Sequence, residues 1–178
     1  MPSLRDPIRS TSLTPAEARE LHYEALVIDA QQPPTTSGFL FNDNMRARLA
    51  ELYEQGYTRG EAGDQMARMA AREVQINPDA AKDYIDLWHT SGVTVGAGTY
   101  TAGTRIEVAF ESAVKCIAEA RSMLDALDGE IRLVLKADDI EAAYGDGKHG
   151  MIIDFQDTLP FGTDIQRIDL FHNLGLRQ

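Results

Sequence analysis

The chain alternates short apolar runs with longer stretches of helical spacing, and this alternation constrains its fold more than any other feature. The apolar runs are "ALVID" at 25–29, "VTVGAGTY" at 93–100, "EIRLVL" at 130–135 and "GMIIDF" at 150–155. Each is short, and most are nearly continuous in apolar residues, the form taken by a strand covered on both faces. Parallel strands need a crossover of a dozen or more residues, and the helical stretches supply it. The expected class is therefore α/β with a parallel sheet. "LRQ" at 176–178 reads as the opening of one more strand.

The helices announce their ends. "TPAEARELHYEA" starts at 14 with Thr14 as N-cap, Pro15 in the first helical position and Glu17 closing a capping box. A long helical excursion occupies 32–92. Within it, Asn42 or Asp43 caps one helix that stops near Gly56, and a second covers 58–76. Asn77 and Pro78 open a third that Gly92 ends. A regular helix covers about 105–127, with an apolar stripe of Ile106, Phe110, Ala113, Cys116, Ile117, Ala120, Met123, Leu124 and Leu127. Asp138 or Asp139 opens the next, closed at Gly145, and Thr163 or Asp164 opens the last, ended by Gly175. Gly96, Ala97 and Gly98 point to a backbone packed closely against a neighbour.

Charge and cysteine content narrow the function classes. With 28 acidic and 17 basic residues the net charge is -11, which disfavours nucleic acid and anionic membrane as partners. No apolar run reaches the roughly 18–20 residues of a membrane span, and the first twenty residues lack the apolar centre of a signal peptide. A cytoplasmic protein is expected. The lone Cys116 allows no internal disulfide, and on its apolar stripe it is expected to pack as a small hydrophobe. His22, His89, His149 and His172 show no ligand spacing, and His149 is expected just before its strand, at the end opposite any site. "GVTVGAGT" lacks the lysine and the spacing of a phosphate loop.

Two stretches carry a resemblance. "VIDAQQ" at 27–32, followed by Gly147-Lys148, Ile152-Ile153 and Leu174-Gly175-Leu176-Arg177, is similar to the membrane dipeptidase (renal dipeptidase) family, peptidase family M19. In that family a first strand reads roughly V-I-D-G-H-x-D, a later one G-K-x-a-x-I-x-G-x-E-G-G, and the following helix closes with L-G-v-R. "SGVTVGAGTYT" also resembles its second strand, and the match spans most of 25–178. The resemblance implies a (β/α)8 barrel of the metal-dependent hydrolase kind, holding two zinc ions and hydrolysing dipeptides. Gln31 then stands at the family's histidine ligand, Pro33 at its aspartate ligand and Gln156 at its bridging glutamate. Zinc favours His, Cys and carboxylate, so the first-half ligand set is missing from these positions. The chain is more similar to a bacterial branch whose strands read like "VIDALQ" and "GFQNT", with glutamine at those places, than to the family's main pattern.

Around the former ligands stand three aspartates. Asp29 and Asp154 each lie two residues before a glutamine and are expected on one inward face, a layer deeper. They form a relocated site with Gln31 and Gln156 as substrate-binding groups, or Asp29 simply ties down local backbone. Asp154 and Asp157 are the candidate catalytic carboxylates, with capping of the following loop the alternative for Asp157.

The expected architecture is the N-terminal half of a TIM-type barrel: an arm and helix over 1–24, then a partial (β/α)8 barrel over 25–178 with the helical insertion after strand 1. Half a barrel leaves unpaired edges, so a C-terminal half-barrel or a homo-oligomer is the expected partner, and the expected substrate is small and peptide-like. The expected activity is dipeptidase-like amide hydrolysis on a barrel with its first-half zinc ligands replaced. The alternative is a non-catalytic paralogue that binds or assembles.

Overall fold

The computed structural model describes residues 13–31, 41–100, 106–127 and 129–178. Residues 1–12 of the expected N-terminal arm, and 32–40 with Pro33, lie outside the described residues. Helix α1 (Pro15–Glu24) leads into a two-residue strand β1 (Ile28–Asp29). Three helices follow: α2 (Asp43–Glu54), α3 (Arg59–Ile76) and α4 (Pro78–Ser91). Strand β2 (Val95–Thr99), helix α5 (Ile106–Ala126), strand β3 (Ile131–Leu133), helix α6 (Ala137–Gly145) and strand β4 (His149–Asp154) come next. A 3-10 turn (Leu159–Phe161) and helix α7 (Gln166–Leu174) complete the order. Among the described residues no helix is long and apolar enough to cross a membrane.

Most helix ends form as their residues dictate. Thr14 and Glu17 make the reciprocal capping box at α1, and Thr58 with Glu61 repeats it at α3. Asn42 caps α2 through the Met45 amide, and Asn77 caps α4 through that of Asp79. Gly92 ends α4 at φ 70°, a left-handed conformation that costs a side-chain-bearing residue energy. Two openings differ from expectation. At α6 the N-cap is Lys136, and Asp139 sits in the first turn, where its carboxylate accepts from the Leu135 and Lys136 amides. At α7 the N-cap is Ile165 without a side-chain cap, because the Asp164 carboxylate already forms a local turn with the Gln166 amide.

All strand pairs are parallel, in the order β1-β2-β4-β3. β3 covers only the lower part of β4, with Leu133 opposite Met151. Above it the same edge is taken by the last residues of the chain, through a parallel bridge between Ile153 and Leu176. The Arg177 amide donates to the Ile153 carbonyl at 3.0 Å and the Phe155 amide to the Gln178 carbonyl at 2.9 Å. Setting the short β3 aside, the strands run β1, β2, β4 and 176–178, in chain order. The sheet also curls. Strands lie about 4.8 Å apart, so a flat sheet would part the first from the fourth by about 14 Å. Yet the Gln178 side chain reaches back to donate to the Ala30 carbonyl at 3.0 Å.

One face of the sheet meets the helices. Ala62, Met66, Ala70 and Val74, spaced every four residues along α3, pack with Tyr84 and Trp88 of α4, Met123 and Leu124 of α5, and Met151 of β4. Ile153 joins a second cluster with Ala113, Ile117 and Phe171. Parallel partners share a face, so Val95, Ala97 and Thr99 line the opposite, concave side with Gly150, Ile152 and Asp154. The α5 stripe is buried at Ala113, Ile117, Ala120, Met123, Leu124 and Leu127, but Ile106 is exposed and Cys116 only half-buried. The contact face lies along residues 113, 117, 120 and 124, and Cys116 falls beside it rather than on it.

Candidate functional site

Asp154 closes β4 at the carboxyl end of the sheet and is 4% exposed. Its Oδ2 accepts from the Thr99 hydroxyl at 3.1 Å, the two residues being register partners on β2 and β4. Its Oδ1 is buried and has no hydrogen-bond partner among the described residues. Burial pushes the Asp154 carboxyl above the usual aspartate range, and the Thr99 hydroxyl pulls the other way. The carboxylate therefore stands on the concave face with one oxygen held and the other buried without a partner among the described residues.

The other candidates sit differently. Asp29 pairs with Gly96, which is level with Met151, so the register sets it on the helix-facing side, away from Asp154. The expected shared inward face for the two aspartates is corrected by that register. Asp29 Oδ1 accepts from the Gln31 amide at 3.0 Å, tying down the chain just beyond β1. Gln31 and Gln156 are both exposed, each two residues past its strand. Asp157 Oδ1 accepts from the Leu159 amide at 2.9 Å and so ties down the loop that leads into the 3-10 turn. Gln178 joins this end of the sheet through its bond to Ala30.

A zinc centre needs His, Cys or carboxylate donors converging within about 2.0–2.3 Å of one point. Among the described residues no three such side chains gather. Gln31 and Gln156 offer only neutral amide oxygens. Among the described residues the donor set does not fit the two-zinc centre implied by the resemblance.

At the opposite end of the sheet lies an arrangement that spacing could not reveal. His149 is the first residue of β4 rather than a residue ahead of it, and it is 7% exposed. Its Nδ1 lies 2.8 Å from the Val93 carbonyl and its Nε2 3.0 Å from His89 Nδ1. A carbonyl only accepts, so Nδ1 carries the proton, Nε2 accepts, and His89 Nδ1–H donates. The His149 ring lies 5.3 Å from that of Trp88, and Lys148 pairs with Glu130 alongside. Burial pulls the His149 pKa below its ordinary value; the Val93 carbonyl raises it and His89 lowers it further. Sixty residues separate the two histidines, so only the strand register and the end of α4 bring them together. Thr99 was equally hidden, because its role depends on its pairing with Asp154.

No family model and no curated protein matches the chain. Among solved structures, an amidohydrolase from Pseudomonas aeruginosa aligns over 92% of this chain and 35% of its own, with 19% identity and a TM-score of 0.50. A dipeptidase, a metallopeptidase of family M19, aligns over 86% of this chain and 41% of its own, again with 19% identity and a TM-score of 0.50. Likeness at this identity establishes a shared mixed α/β fold with a parallel sheet. The chain spans less than half the length of either neighbour.

Proposed function

We propose that this chain is the amino-terminal portion of a dipeptidase-like amide hydrolase built on a (β/α)8 barrel, with the first-half metal ligands replaced. The observation that carries the reading is the sheet itself. With the short β3 at the lower edge set aside, four parallel segments follow one another in chain order, curl toward each other, and hold a buried carboxylate on the concave face at their carboxyl ends. Barrel enzymes keep their chemistry at that end. The fold neighbours, one an amidohydrolase and one an M19 dipeptidase, support the reading, and each is more than twice as long as the part this chain aligns with, which leaves room for strands that would close the barrel. Those strands come from a further stretch of the same protein, a separate polypeptide or a second copy.

In this reading Asp154 and Thr99 shape the floor of the substrate site, and Gln31 and Gln156 contact substrate at its rim as neutral hydrogen-bonding groups. Activation of water falls to residues outside this chain. The test is dipeptide hydrolysis by the protein isolated from its own host, with native mass spectrometry on the same sample. The expected result is an assembly or chain heavier than 19.6 kDa that cleaves a dipeptide. A bare 19.6 kDa species without activity would overturn the proposal. The exposed neutral glutamines favour one second reading, a non-catalytic paralogue that binds or assembles. The variant carrying Gln31→His, Pro33→Asp and Gln156→Glu separates the two: gain of zinc and turnover shows that only ligands were lacking, whereas zinc without turnover marks a rebuilt pocket.

A further inference from the structure

A carboxylate removed from water is costly unless charge or hydrogen bonds compensate it. Asp154 is compensated on one side only. Thr99 satisfies Oδ2, Oδ1 is buried with no partner, and no ion pair to Asp154 occurs among the described residues. Beneath it on the concave face stand Ala97, Ile152 and Val95, which offer no side-chain donor. Thr99, level with it, is already used on Oδ2, and the guanidinium of Arg177, the residue after the Leu176 that bridges Ile153, donates to the Leu135, His172 and Leu176 carbonyls instead. A divalent cation would need several more anionic or imidazole donors, and none gather here among the described residues. A group with positive charge and its own N–H donors meets the need by itself, and a primary ammonium is a small group of that kind.

We propose that Asp154, oriented by Thr99, receives the primary ammonium group of a peptide-like substrate on the concave face of the sheet. This rests on the amide-hydrolase reading for the identity of the substrate. The ammonium donates to Oδ1, restoring the hydrogen bond that the free protein lacks, while Thr99 keeps Oδ2 in place. The charge pair forms away from bulk water, where it is stronger than at the surface.

The test is calorimetric titration of the intact protein with alanyl-alanine, N-acetyl-alanyl-alanine and propylamine, repeated on Asp154→Asn. The expected result is at least a tenfold preference for the free amine over its acetylated form, abolished in Asp154→Asn while the weaker binding of the acetylated dipeptide persists. The wild-type comparison needs no variant to fold. Equal binding of the free and acetylated dipeptides would overturn the ammonium site, and if both are bound and cleaved the hydrolase reading still stands. Propylamine binding that depends on Asp154, with no dipeptide bound or cleaved, would keep the ammonium site and remove the peptide reading. No binding of any of the three probes would overturn the inference.

Discussion

His149 shows how a single side chain can set a pH limit. Its neutral ring bridges the Val93 carbonyl and His89, and protonation of Nε2 would remove the acceptor that His89 requires. The titratable and charged groups that face it are His89 on α4, Glu130 ahead of β3 and Lys148 next to it in the chain. Because burial depresses its folded pKa, the folded state binds the proton less readily than the unfolded chain does. The resulting stability is present above the unfolded value of 6.5 and is lost as pH falls through the lower folded value. Urea midpoints should therefore drop with acidification below pH 6.5, and His149→Gln should flatten that dependence. Trp88, the single tryptophan, reports the same event, since an imidazolium beside its ring should quench its fluorescence over the same range. A wild-type urea midpoint that stays level through this range would contradict the account.

At the scale of elements, close approach decides what β4 tolerates. A Cβ on Gly150 would stand 2.7 Å from Val134 Cγ2 and 3.0 Å from Val95 Cγ2, both parts of neighbouring chain that cannot swing away easily. Gly150→Val is expected to cost about 1–3 kcal/mol in urea denaturation through overpacking, whereas Gly145→Ala, with nothing within 4 Å, should cost little. The sequence made most of these elements legible. Thr14, Asn42, Asn77 and Gly92 marked helix ends because capping is a local matter, settled by side chains within a few residues of the backbone they satisfy. Register is not local. Nothing near Asp29 or Asp154 tells which residue of β2 each will face, so the pairing of Asp154 with Thr99, and the parting of Asp29 from both, emerged only with the sheet assembled. The turn-forming role of Asp157 was one of two readings the sequence allowed, and its bond to Leu159 supplies the capping one.

At the scale of the whole molecule, residues 176–178 act as the upper continuation of an edge that β3 leaves uncovered. Shortening the chain by these three residues should speed hydrogen exchange at the Phe155 amide, which donates to Gln178, and leave the Gly150 amide, bonded to Thr94, protected. Uniform protection of both would show that the tail adds nothing to the sheet. The bond from Gln178 to Ala30 also has a consequence in time. It joins positions 148 residues apart. A ribosome adding about 5–20 residues per second needs on the order of ten seconds to cover that interval. Throughout it β1 can pair with β2, made about 67 residues after it, while its bond to Gln178 is still unmade. The contact that draws the ends of the sheet together is thus among the last that the growing chain can form.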